Sequence, residues 1–223
     1  MKKIIIFTDS LGRPRPDLDR SESTEYEDVY GYKVREYFSK VLVELLYVES
    51  LDSDDAIFWN KRMVAFKRPD IVVYHLGIND CVPRLFKKNS KSVLLRPFFQ
   101  KITKNIFLRL ISKFRRHIIR ALPLKVYVEK DRFQKNLIKM INDVKEFSPE
   151  CTFLCLSIAG QTKFMENKNP GVTANTKEYN KVLKAIFKEN YIDIDDLIKR
   201  APEKYLISDG IHFNKDTHNK IAQ

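Results

Sequence analysis

The chain has 223 residues, 43% of them apolar and 31% charged, a balance that excludes intrinsic disorder and allows one domain with a sizeable core. No apolar run approaches membrane-spanning length, and the opening run ends at Thr8-Asp9, too short for the apolar region of a signal peptide. The formal net charge is +12, and residues 84–132 carry the whole excess: 15 Lys or Arg stand there against two acids, Glu129 and Asp131, leaving 26 basic and 27 acidic residues elsewhere.

Residues 3–7 form a β-rich run and predict a first buried strand. Residues 29–39 have helical spacing, with Val29, Tyr32, Val34 and Phe38 as the candidate buried positions. A second strand is expected within residues 41–48. The helical pattern over 56–66 stops ahead of Pro69, as the residue preceding a proline requires. Residues 71–76 are a continuous apolar run, the pattern of a strand covered on both faces. Residues 83–124 then interrupt the alternation as a long insertion. A helix over 130–147, a strand over 151–158, a helix over 176–189, a short strand over 191–194 and a last helix over 216–222 complete the chain. Strands alternating with helices imply a parallel sheet with right-handed crossovers, hence an α/β fold of three layers, an α/β/α sandwich. The whole of residues 1–223 is expected to form a single domain carrying a basic helical insertion at about 84–132. In such sheets ligands bind beyond the carboxyl ends of the strands, where Ser10 and Asn79 both fall.

Ser10 is the candidate nucleophile. A serine after a strand is by itself more often a turn or helix cap, and partners are needed to overturn that reading. His212 is one, a general base able to take the hydroxyl proton and return it to a leaving alcohol. Asp209, three residues earlier, is able to fold back onto the imidazole and fix its tautomer. Alone, Asp209-Gly210 would read as an ordinary turn. Asn79 offers an amide to a developing oxyanion beside the backbone N–H of Ser10, and Gly77 permits tight backbone geometry in that loop. Asp9 and Asp80 read as structural, bonding nearby loop amides. His75 within a strand and His218 on the last helix read as packed or surface histidines, and His117 as a surface residue. No Gly-x-Ser-x-Gly elbow, Walker loop, Gly-x-Gly-x-x-Gly or His-Glu-x-x-His is present, and the histidines and cysteines have no metal-ligand spacing, so neither cofactor nor metal is expected.

Thr8-Asp9-Ser10-Leu11, Gly77-Ile78-Asn79-Asp80 and Asp209-Gly210-Ile211-His212 together resemble the first, third and fifth blocks of the SGNH/GDSL hydrolases, in order and in relative position. The resemblance implies the SGNH hydrolase fold with its flavodoxin-like sheet, acyl-ester hydrolysis, and a catalytic set of Ser10, Asp209 and His212 with Ser10 and Asn79 in the oxyanion hole. A looser likeness is to GDSL-like proteins associated with bacterial surface-polysaccharide synthesis. It rests on Pro14-Arg15, Tyr26-Glu27-Asp28 and Asp80-Cys81-Val82-Pro83-Arg84, and implies an acetyl ester on a carbohydrate as the substrate. The same serine would serve an O-acyltransferase, in which a sugar hydroxyl resolves the acyl-enzyme; a non-catalytic glycan- or membrane-binding module is the alternative of a different class. Two departures stand out. Thr8 replaces the first block's glycine, and the stretch Glu49 to Asp54 lacks the second block's glycine, whose N–H normally completes the oxyanion hole.

In the insertion Ile102, Ile106, Leu110, Phe114, Ile118 and Leu122 recur at four-residue spacing, with Lys101, Lys104, Lys113, Arg116 and Arg120 largely off that stripe. This predicts a basic amphipathic helix packed on the domain, with attraction to an anionic membrane surface or a polyanionic glycan and no motif for nucleic acid. Cys81, Cys151 and Cys155, odd in number and beside core strands, are expected as reduced thiols in a cytoplasmic protein, free or peripheral at the inner face of the membrane.

Overall fold

The computed structural model describes residues 1–19, 21–86, 88, 113–121 and 125–223. Five strands form one sheet: β1 (Lys3–Thr8), β2 (Leu42–Tyr47), β3 (Ile71–His75), β4 (Thr152–Leu156) and β5 (Tyr191–Ile192). Every pairing is parallel and the order is β2-β1-β3-β4-β5. The helices are α1 (Tyr30–Tyr37), α2 (Ser53–Trp59), α3 (Ile78–Cys81), α4 (Arg115–Ala121), α5 (Lys130–Lys145), α6 (Lys163–Lys168), α7 (Val172–Phe187), α8 (Ile194–Ile198), α9 (Pro202–Tyr205) and α10 (Lys215–Ile221). α1 packs with α10 on one face of the sheet, and α2, α5 and α7 pack together on the other. The three-layer α/β/α sandwich and its parallel flavodoxin-like sheet therefore stand as the sequence predicts.

β1 and β3 are the reason. Ile5, Phe7, Val72 and Tyr74 are fully buried on one face of the sheet, and Ile4, Ile6 and His75 are buried on the other, so helices cover these strands on both sides. From β1 the chain runs outward to β2, then returns past β1 to β3 and continues the other way. The switch in direction lies between β1 and β3, where the crevice at the carboxyl edge opens.

Boundaries differ from expectation for local reasons. The helix expected over 56–66 starts at Ser53, because Asp52 caps it by accepting from the Asp55 N–H at 3.1 Å. At Asn60 it widens into a π-helical turn, Asn60–Val64. There the buried Asn60 amide donates to the Met140 carbonyl at 3.0 Å and accepts from the Tyr74 hydroxyl at 2.7 Å. On the α1 segment Val29 is buried, but Phe38 is 42% exposed and Tyr30 takes the inner position instead. α7 begins four residues before the expected helix. On α4, Phe114 and its neighbours also depart from the expected stripe: Phe114, just before the helix, is 51% exposed while Ile119 is buried. Lys113, Arg116, His117 and Arg120 are exposed, as expected. Ile102, Ile106, Leu110, Leu122, Lys101 and Lys104 lie outside the described residues. Among the described residues no helix is long and apolar enough to cross a membrane.

Candidate active site

Ser10 opens a short 3-10 turn, Ser10–Gly12, directly after β1. Asp9 caps that turn: its Oδ1 accepts from the Leu11 N–H at 2.9 Å, and its own N–H donates to the His75 carbonyl at 3.2 Å. The end of β1 is thereby tied to the end of β3. Asn79 lies in α3, just beyond β3. Gly77, between them, has φ 124°, and a Cβ there would come within 2.6 Å of the Ile158 side chain, so the turn requires glycine.

Asp209 and His212 arrive from the other end of the chain, on the loop between α9 and α10. Gly210, at φ 77°, turns this loop so that the Ile207 N–H donates to the His212 carbonyl at 2.9 Å and the Gly210 N–H to the Ile207 carbonyl at 2.9 Å. Phe213, one residue after His212, is buried and stacks on His75. The Tyr30 hydroxyl lies 2.9 Å from His75 Nδ1, and the Tyr30 N–H donates to His218 Nδ1 at 3.3 Å. Burial lowers both histidines to a pKa of about 3, so they are neutral packing groups behind the loop.

These elements bring three predicted residues into one line. Ser10 Oγ is 3.0 Å from His212 Nε2, and His212 Nδ1 is 2.5 Å from Asp209 Oδ2. Asp209 Oδ1 accepts from the N–H groups of Ile211 at 2.9 Å and His212 at 3.0 Å. Partial burial works against the Asp209 carboxylate, but the hydrogen bonds and charge of His212 and these two amides outweigh it and hold the group at about 2. The arrangement is able to accept a proton from the serine hydroxyl and to stabilise the imidazolium that results.

Asn79 is held at both ends of its amide. Oδ1 accepts from Arg84 Nη2 at 3.4 Å, and Nδ2 donates to the Leu51 carbonyl at 3.2 Å, which leaves its second N–H unspent. Leu51 belongs to the stretch that lacks a glycine. Ser50 there adopts a φ of 54°, the left-handed conformation glycine enters most readily, and supplies the bend without one. The backbone N–H groups of Ser10 and Leu51 have no hydrogen-bond partner among the described residues. In the sequence Arg84 and the Leu51 stretch stood out only as pieces of motifs; their hold on the Asn79 amide is made by contacts present only in the fold.

Asp9 and Asp80 are fully buried and structural, as expected. Asp80 Oδ1 accepts from the Ser53 N–H at 2.9 Å and from its hydroxyl at 2.5 Å, while Oδ2 of each aspartate has no partner among the described residues. Burial raises Asp9 to about 8, with Asp80 adding to the rise against the Leu11 N–H. Burial likewise raises Asp80 to about 7 against its bonds from Ser53. Among the described residues no cluster of His, Cys, Asp or Glu is arranged to hold a metal ion.

The fold and its family define a hydrolase of the acyl-ester class. The model of the GDSL-like lipase/acylhydrolase family matches residues 51–220, a span that includes Asn79, Asp209 and His212, and the chain belongs to that family. No curated protein sequence matches the chain. Among solved structures it is similar to a lipase/acylhydrolase from Enterococcus faecalis, with TM-score 0.65 and 18% identity over 100% of this chain and 92% of that one. It is also similar to TesA, with TM-score 0.60 and 13% identity over 99% and 94% of the two chains. A third is an acetylxylan esterase from Geobacillus stearothermophilus, with TM-score 0.59 and 15% identity over 99% and 90%. At these identities the likeness concerns the fold.

Proposed function

We propose that the protein is a serine esterase that removes an acyl group, chiefly acetyl, from a carbohydrate or a surface-polysaccharide precursor. The observation that carries this reading is the continuous line from Ser10 Oγ through the His212 ring to the Asp209 carboxylate, at 3.0 and 2.5 Å. In the first step Ser10 Oγ bonds to the acyl carbon while its proton passes to His212 Nε2. The oxyanion that forms is met by the Ser10 N–H, the second N–H of Asn79 and the unpartnered N–H of Leu51. The proton then leaves with the alcohol as the ester C–O bond breaks, and water, deprotonated by His212, releases the acid from the acyl-enzyme. The acetylxylan esterase among the similar folds and the Asp80–Arg84 likeness support an acetylated sugar. The free thiols of Cys81, Cys151 and Cys155 support a reducing, cytoplasmic setting, and exposed Lys113, Arg116 and Arg120 support attraction to an anionic glycan or membrane surface.

The test is turnover of p-nitrophenyl esters of increasing chain length, combined with fluorophosphonate labelling. Acetate should be the preferred chain, Ser10 the labelled residue, and Ser10→Ala and His212→Ala should each abolish turnover without lowering the melting temperature markedly. Near-native turnover by pure Ser10→Ala protein would refute the assignment.

A further inference from the structure

Arg84, which touches Asn79, and Arg115, which touches Pro83 next to it, have no carboxylate partner among the described residues. The Arg84 guanidinium reaches Asn79 Oδ1 and lies over the Tyr127 ring, 4.6 Å from its centroid, with its Nε buried and unpartnered. Arg115, at the start of α4, is half-buried, and its partners among the described residues are neutral acceptors. Its Nε and Nη2 meet Asn169 Oδ1 at 2.9 and 2.5 Å, and Nη2 also meets the Pro83 carbonyl at 3.2 Å, one residue from Arg84. Burial and then the like charge of Arg84 push the Arg115 pKa down. Among the described residues every ion pair to an arginine involves Arg13, Arg132 or Arg200. Residues 81–128 contain no Asp or Glu, so this stretch has no countercharge of its own to offer.

Two neighbouring, partly desolvated guanidinium groups without an anion are costly to the fold, and planar N–H forks are the groups that recognise carboxylate and phosphate best. A site that sustains this cost one hydrogen bond from an oxyanion donor is built for an external anion. We infer that Arg84 and Arg115 form an anion subsite beside Asn79, which binds a carboxylate or phosphate carried by the acyl-ester substrate. The inference rests on the esterase reading and narrows its substrates to acidic ones. Since the acetyl group of the proposed substrate carries no charge, the anion belongs to the acceptor side of the ester, and its binding orients the acyl group toward Ser10.

The experiment compares three acetyl esters: an O-acetylated methyl glucuronoside, an O-acetylated glucose 6-phosphate and a neutral O-acetylated methyl glucoside. For the wild-type protein kcat/KM should favour one or both anionic esters by about tenfold or more, with the larger preference naming carboxylate or phosphate as the source. That preference should shrink as salt is added, whereas turnover of the neutral ester should respond little. Arg115→Gln should cut the anionic-to-neutral ratio by about 10- to 100-fold, and Arg115→Lys, which keeps the charge but loses the fork, by less. Equal kcat/KM for the three esters in the wild type, or an equal loss on all three in Arg115→Gln, would overturn the subsite and leave the arginine as a brace for the loop. Calorimetric titration of Ser10→Ala protein with the same esters separates this from the esterase reading. Anion-selective binding there upholds the subsite even if the wild type turns over no ester, and equal binding of all three overturns it even if the wild type is active.

Discussion

Asn79 has its amide pinned by Arg84 on one side and the Leu51 carbonyl on the other, so its remaining N–H has a fixed direction before any substrate arrives. In the proposed reaction a donor prepared in this way acts on charge that develops only in the transition state. Asn79→Ala should therefore lower kcat by roughly 10²- to 10³-fold, about 2.7–4 kcal/mol, with KM little changed. Steady-state kinetics on p-nitrophenyl acetate decide this, and a change confined to KM would make Asn79 a positioning residue. Asp209→Asn should cost about 10⁴-fold in kcat by favouring the wrong tautomer of His212. With Asp209 held at about 2, its ionisation does not set the acid limb of the pH–rate profile above pH 4. Ser10, Asn79, Asp209 and His212 were legible in the sequence because each sits in a short motif at a strand end or a tight turn. Arg84 and the Leu51 stretch stood out only as pieces of motifs; that both hold the Asn79 amide was not legible, since those contacts are made in the fold and Leu51 meets Asn79 across 28 residues.

Elements with a long apolar period were legible to within a few residues: β1, β2 and β3, α5 and α10 all lie where their patterns put them. The short helices α3, α6, α8 and α9 were not, being one turn or little more and set by caps rather than by periodicity. Thr162 caps α6 and Asp193 caps α8 through backbone amides, and neither leaves an amphipathic trace. The loop carrying Asp209 and His212 is a further case in which one backbone angle decides an element. Gly210 has φ 77°, and a Cβ there would lie 2.2 Å from Thr162 Oγ1 and 3.2 Å from the Met165 side chain. Gly210→Ala should destabilise the protein by about 1–3 kcal/mol through strain and crowding together. Because the turn positions His212 over Ser10, activity should fall by more than the folded fraction does. Urea denaturation alongside kcat/KM measures both, and full activity in the folded variant would show that the loop tolerates another path.

At the scale of the molecule, the charge split was visible in composition, and the parallel run of the sheet followed from the alternation of strands and helices. What composition does not show is where the core holds ionisable groups, and this governs stability against pH. His75 and His218 have folded pKa values of about 3, below the usual 6.5, so the unfolded chain binds more protons between these limits. Their contribution makes stability rise with pH from about 3 to 6.5, after which it is flat. Asp9 and Asp80 do the opposite. Their folded values of about 8 and about 7 lie above the usual 3.8, so the fold keeps protons that the unfolded chain has released. That stability is fully present below pH 3.8 and is lost as pH rises through 7 and 8. The two trends oppose each other in acid, but between pH 6.5 and 8.5 only that of the aspartates remains. Stability should therefore decline from pH 6.5 to about 8.5, and the Cys81 and Cys151 thiols, which burial raises to about 12 and about 11, extend the decline above pH 9. Asp80→Asn keeps an acceptor at Oδ1 for Ser53 and removes one titrating group; Asp9→Asn does the same for the Leu11 N–H. The double variant should lose most of the decline, as read from urea midpoints at pH 6.5, 7.5 and 8.5. Parallel declines in the wild type and the double variant would show that these carboxyl groups are ionised in the fold at neutral pH.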